Sequence, residues 1–136
     1  MKINIAPFLR LIEIKYKRNQ ERENEVSNGL PRSHWNEAQT YVDLMKQEIE
    51  EMHSELKKDN TIYLEEELGD IFWDYLNLIH ILKEKGYIES YTNIFKASRK
   101  KFKARIHGDL KWFSWQDIKK KQKQENKKKH TEKYGT

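Results

Sequence analysis

Apolar residues recur along the chain at three- and four-residue intervals over long stretches, the period of α-helices packed on one face. Only Pro7, Pro31 and five glycines interrupt them. The pattern predicts a first helix over about residues 6–23 and a loop at Ser27-Asn28-Gly29-Leu30-Pro31. A second helix is predicted over about residues 36–57, and a turn at Asp59-Asn60-Thr61, where Asn60 or Thr61 can cap the next helix. The third runs over about residues 62–85 and stops at Gly86. The fourth runs over about residues 89–106 and is broken at Gly108. A short helix starts near Ser114, and order fades within the Lys-rich end. There is no internal repeat, and no strand pattern competes, since few segments alternate apolar and polar positions with β-branched residues. The class is all-α, and four helices with short connections predict an antiparallel four-helix bundle.

Two helices carry acidic stripes beside their apolar faces. In the third, with about 100° per residue, Glu67, Asp70, Asp74 and Asn77 share one stripe. Leu68, Ile71, Phe72, Tyr75, Leu76, Leu78, Ile79 and Leu82 form the neighbouring face, expected to pack inward. Trp73 and His80 lie beyond the stripe on its other side, where a Trp left in water is costly; a second buried surface, such as a subunit contact, is expected there. In the second helix Glu48, Glu51 and Glu55 share a stripe flanked by Met45, Ile49, Met52 and Leu56. If the apolar faces pack together, the two stripes meet. Converging carboxylates raise one another's pKa, and a divalent cation removes that penalty. All-oxygen ligands favour Mg²⁺, Mn²⁺ or Ca²⁺ over zinc. The pairs Glu48/Glu51 and Glu67/Asp70, each at i,i+3 spacing, would place two oxygens from each helix on one side of an ion. Such pairs are also ordinary on solvated helix faces, so spacing alone leaves both readings open. Mid-helix Asp70 and Asp74 favour the metal, because Asp is a poor helix former.

Composition narrows the alternatives. The chain has 136 residues, the size of one domain, and is 36% charged with a mean hydropathy of −1.07, too polar to cover all its apolar residues as a monomer. It has no cysteine, which excludes disulfides and thiolate-bound zinc. It has no apolar run of about 18 residues and no secretory leader pattern, so a cytoplasmic protein is expected. The net charge of +5 is carried by the end of the chain: from Asp117 onward, eight Lys face three acidic residues. Residues 1–116 are read as one helical domain, neutral on balance, and 117–136 as a flexible, solvated Lys-rich tail. Contact with nucleic acid is expected only through that tail, if at all.

The acidic residues also carry a resemblance. Glu48-x-x-Glu51, a gap, then Glu67-Leu68-Gly69-Asp70 resembles the signature of MazG nucleoside triphosphate pyrophosphohydrolases, E-E-x-x-E followed by E-x-x-D. Upstream, Trp35-Asn36-Glu37-Ala38-Gln39-Thr40 is similar to that family's W-D-x-E-Q-T segment. Lys101-Phe102-Lys103-Ala104-Arg105 is similar to K-L-E-R-R, and Gly108-Asp109 and Trp115-Gln116-Asp117-Ile118-Lys119 to G-D and W-E-x-x-K. The elements occur in the family's order. The chain departs by having Gln47 for the first Glu, a shorter interval after Trp35, and only Ile106 and His107 between Arg105 and Gly108, as in a divergent MazG-like branch.

The resemblance implies a helical bundle acting as a homodimer or dimer of dimers. It also implies Mg²⁺-dependent hydrolysis of nucleoside or deoxynucleoside triphosphates to monophosphate and pyrophosphate, with Mn²⁺ as a substitute ion. Glu48, Glu51, Glu67 and Asp70 would hold the metal, Lys101 and Arg105 the phosphates, and Trp115 would lie against the base. Glu55 or Asp74 would take a proton from water, and Asn77 would hydrogen-bond sugar or base. Without the resemblance, Lys101 and Arg105 read as a solvated helix face, and Trp35 reads equally well as a packing anchor; Trp112 and Phe113 read as packing residues. A narrower dUTPase-like or dCTPase-like relative is a competing enzyme, and a non-enzymatic nucleotide-binding adaptor is a competing class. No Gly-rich phosphate loop, H-E-x-x-H or Cys nucleophile is present, and the five histidines are scattered.

Overall fold

The computed structural model describes residues 3–110 and 114–136, with the side chains of Asp109 and Leu110 outside the description. The described residues form five α-helices, one small β-hairpin and a 3₁₀ turn, so the expected all-α class holds. The chain divides into two compact units, Met1–Glu89 and Ser90–Thr136.

In the first unit, α1 (Ala6–Glu21) starts with Pro7 in its first turn, where a missing N–H costs nothing. Its buried residues Ile12, Tyr16 and Asn19 follow helical spacing. Helices α2 (Ala38–Ser54) and α3 (Thr61–Glu84) pack along each other, and α1 packs on α3. The tight α2–α3 connection contains Asp59 in the left-handed region (φ 58°). The Asn60 amide closes it by donating to the Glu55 carbonyl at 2.8 Å and carboxylate at 2.6 Å.

The core is small: Ile12, Tyr16, Tyr41, Leu76, Ile79 and Ile81 are its buried hydrophobic residues. Trp35, Ala38, Leu44 and Leu78 pack against the Tyr16–Tyr41–Ile81 cluster. Trp35 is thus a packing anchor, and its indole N–H donates to the Ser27 carbonyl at 2.8 Å. Buried amides fasten the 3₁₀ turn Arg32–Asn36 to α1: Asn19 donates to Asn36 at 3.2 Å, and Asn36 donates to the Tyr16 carbonyl at 3.0 Å. Leu76 is fully buried. Leu76→Ala is expected to destabilise the protein by about 3 kcal/mol, the middle of the range for buried Leu truncations, read as a lower urea midpoint at an unchanged slope.

Four local expectations need correction. The segment expected as a plain loop is a hairpin, with β1 (Val26–Ser27) pairing β2 (Leu30–Pro31) antiparallel. Asn28 and Gly29 both have positive φ (50° and 82°), as a type I′ turn requires. On α3, Leu68 and Phe72 are exposed rather than inward, although Phe72 meets the edge of Phe8 at 5.6 Å. On α2, Ile49 is exposed, and Leu56, expected on the same helix, lies exposed beyond its end at Ser54. His80, expected to face a partner subunit, is buried against Tyr16 of α1, ring centroids 5.0 Å apart; the chain's own α1 covers that side. Trp73 is half-buried.

In the second unit, α4 (Tyr91–Leu110) and α5 (Trp115–Tyr134) pack on each other. Helix α4 continues through Gly108, a further correction; one mid-helix Gly costs only about 1 kcal/mol relative to Ala. The Ser114 hydroxyl caps α5 by accepting from the Asp117 N–H at 3.0 Å, and Gly135 (φ 77°) ends it. The short helix expected near Ser114 therefore extends to Tyr134 through most of the Lys-rich segment. Trp112 and Phe113 lie outside the described residues. No helix among the described residues is long and apolar enough to cross a membrane.

Candidate metal centre

The packing of α2 on α3 brings the two acidic stripes together. Glu48 of α2 and Glu67 and Asp70 of α3 each offer a carboxylate oxygen, all within 4.8 Å of one another. Oxygens around Mg²⁺, at about 2.1 Å from the ion, stand roughly 3–4 Å apart, so side-chain adjustment alone would close this cluster on a cation. Glu51 is more exposed, and its carboxylate accepts from the Gln47 amide at 3.1 Å. The residue that departs from the E-E pattern thus orients its neighbour.

The electrostatics are those of an uncompensated anion site. Glu48 is pushed up to about 8, first by burial, then by sharing protons with Glu51 and Glu67 and by the charges of Glu51 and Asp70. Glu67 is raised mainly by desolvation; a proton shared with Glu48 acts in the opposite sense, and Glu51 and Asp70 add repulsion. Glu48 Oε2 and Glu67 Oε2 are buried and receive no hydrogen bond. A buried carboxylate oxygen without a donor is costly unless it is protonated or ligates a cation. The donor set is oxygen only, so the residues fit a hard divalent ion.

Asp74 lies one helical turn beyond Asp70 on α3. It is buried, its Oδ2 receives no hydrogen bond, and it is raised to about 6 by burial and by Asp70, while Lys15 acts in the opposite sense. Asn77, on the same stripe, is fully buried and donates to the Trp73 carbonyl at 2.9 Å. Glu55 sits at the end of α2 with its carboxylate held by Asn60. Asp74 thus feels the charge of the cluster through Asp70.

Sequence reasoning missed two residues beside Asp74. The Lys15 ammonium on α1 donates to the Tyr41 hydroxyl and lies 4.5 Å from the centre of that ring. Burial lowers Lys15 to about 8, and burial together with the Asp74 charge raises Tyr41. A signal for Lys15 exists in the sequence: it stands on the stripe of Ile12, Tyr16 and Asn19, where a solvated lysine does not belong.

The remaining site residues lie in the second unit. Arg105 is buried; its Nε–H donates to Gln122 at 2.8 Å, and its guanidinium lies 5.3 Å from the Phe102 ring and 5.6 Å from the Trp115 ring. Lys101 is exposed, with its ammonium 5.5 Å from the Phe102 ring. Trp115 opens α5, and 38% of its surface is exposed.

The α2–α3 helical hairpin converges three carboxylates whose oxygens fit a hard cation. A model of the MazG nucleotide pyrophosphohydrolase domain matches residues 36–108, more than half of the chain, and the chain belongs to that family. The match spans Glu48, Glu51, Glu67 and Asp70 as well as Lys101 and Arg105; Lys15 and Trp115 lie outside it. No curated protein and no solved structure matches the chain.

Proposed function

We propose that the chain hydrolyses nucleoside or deoxynucleoside triphosphates to the monophosphate and pyrophosphate, with Mg²⁺ bound by Glu48, Glu67 and Asp70 and completed by Glu51. The observation that carries this reading is the three-carboxylate cluster, with two buried oxygens lacking donors, inside a matched nucleotide pyrophosphohydrolase domain. Mg²⁺, when bound, supplies charge neutralisation for the triphosphate and lowers the pKa of a water.

The chain's own groups divide the remaining work. Asp74 accepts the proton of the attacking water: it lies one turn from the cluster, and near pH 7 a carboxylate raised to about 6 is ionised yet still basic enough to take a proton. Lys15 and Tyr41 hold the polar wall around it, Lys15 opposing the desolvation that favours its neutral form. Lys101 and Arg105 neutralise phosphate charge, and Trp115 offers a flat face to a base. In the family-like assembly, a homodimer or dimer of dimers, the exposed Leu68 and Phe72 on α3 are available for burial.

Pyrophosphate release from a panel of ribo- and deoxyribonucleoside triphosphates tests this. Release that requires Mg²⁺ and vanishes with chelator is the expected result. Folded, helical protein that releases pyrophosphate from no nucleotide would sink the enzymatic reading.

A further inference from the structure

The boundary between the two units is also a boundary of charge. Met1–Glu89 holds twelve Lys or Arg against eighteen Asp or Glu, a net −6. Ser90–Thr136 holds fifteen Lys or Arg against four Asp or Glu, a net +11 in 47 residues. The excess is therefore not confined to a frayed tail: α4 shares it, and α5 presents it on a regular helix about 30 Å long.

The arrangement on α5 is directional. Ile118, Lys121, Gln122, Glu125 and Lys129 line a cavity of about 790 Å³ in this unit, together with residues of α4. At about 100° per residue, the side of α5 opposite the cavity carries Lys120, Lys123 and Lys127, with Lys119 and Lys128 on its two flanks, while Glu125 falls on the cavity side. Of these lysines only Lys128 has an ion-pair partner among the described residues, Glu132 at 4.0 Å. Lys120, Lys123 and Lys127 form the centre of the stripe and are exposed. Three like charges on one face, flanked by two more, repel one another, which a polyanion reverses and bulk water only screens.

We propose that this outer face of α5 binds double-stranded nucleic acid through its phosphate backbone, without reading sequence. Charge complementarity carries the argument: a duplex offers one negative charge per about 1.7 Å of its axis, a density that a convex stripe of lysines matches. One exposed aromatic residue, Tyr134, stands on this side at the far end of α5, its ring 5.0 Å from His130 and 5.5 Å from the Lys133 ammonium; a single ring gives no series of platforms for successive unpaired bases, which argues against a single strand. It has no apolar face, which argues against insertion into a lipid surface. Phe102 and Trp115, the aromatic residues near Arg105, are not on this stripe. This surface is independent of the hydrolytic reading and stands or falls separately.

The test is fluorescence anisotropy of a labelled duplex of arbitrary sequence, titrated with the full chain at about 50 to 200 mM salt, where phosphate contacts dominate. Affinity should fall linearly on a log–log salt plot. Lys120→Glu/Lys123→Glu/Lys127→Glu should weaken binding at least tenfold and flatten the slope by roughly three phosphate contacts' worth, about 0.9 each. Circular dichroism checks that α5 survives the change. A control with the same charge change on the first unit, Lys46→Glu/Lys57→Glu/Lys58→Glu, should leave the slope unchanged. Absence of duplex binding at 50 mM salt, equal losses in the two variants, or tighter binding of a single strand of the same length would each overturn the proposal. Displacement of the duplex by an equal charge concentration of polyglutamate would do so too, by transferring the surface to acidic proteins.

Discussion

Replacing Glu67 by Gln is expected to lower Mg²⁺-dependent pyrophosphate release by roughly a hundredfold or more, since even residues one shell removed from a metal ligand cost about 10–100-fold. The same change should make the metal-free protein more stable. Glu67 Oε2 is buried without a donor, and its neighbours Glu51 and Asp70 are both acidic. A neutral amide of nearly the same shape removes one of the like charges and supplies donors to the carboxylates that remain. Thermal melts should therefore show Glu67→Gln above wild type in chelator and below it in excess Mg²⁺, because only wild type gains stability from a ligand bound to the native state. The crossing separates a metal ligand from a merely structural glutamate, which would lose stability in both buffers. Wild-type turnover by the variant would remove Glu67 from the site.

The helices and the acidic cluster were legible in the sequence for different reasons. Helix positions followed from apolar spacing and from Pro and Gly, and Gly86 stops α3 with φ 80° as a helix-ending glycine does. Gly108 misled because one glycine is a small cost inside a twenty-residue helix. The hairpin at Asn28-Gly29 was missed because strands of two residues are too short to alternate, although the Asn-Gly pair is itself a hairpin signal. Glu48, Glu67 and Asp70 could be placed together because both stripes border the faces that join α2 to α3. Lys15 and Tyr41 could not be placed beside Asp74 that way, since three different helices supply the three residues and a single-helix projection holds no information about the others. Which apolar residues stay exposed was equally hidden. Leu68 and Ile49 look like core residues on their own helices, and only the tertiary arrangement shows that no neighbouring helix covers them.

In chelator, the wild-type protein is expected to lose stability relative to Glu48→Gln as pH rises from about 5 to about 8. The sign comes from proton counting. The folded state holds the Glu48 proton up to about 8, whereas an unfolded glutamate releases it near 4.5. Between those values the native state binds more protons than the unfolded state, so each step up in pH favours unfolding, and the loss is complete once pH passes about 8. Asp74, raised to about 6 from 3.8, acts in the same direction over a lower window. His80, lowered by burial, acts in the opposite direction, and Lys15 contributes only above about 8. Asp74, His80 and Lys15 are common to both proteins, whereas Glu67 shares a proton with Glu48, so the difference between the melting profiles reports the Glu48–Glu67 pair. A divalent ion requires the ionised carboxylate and competes with the same proton, so the stabilisation conferred by Mg²⁺ should grow across this window in wild type and be largely absent in Glu48→Gln. Melts at half-unit pH intervals, with and without Mg²⁺, read both effects. A metal-free difference that stays flat from pH 5 to 8 would mean that Glu48 is ionised throughout and that its cluster is open to water. A Mg²⁺ gain equal in the two proteins would place the ion elsewhere.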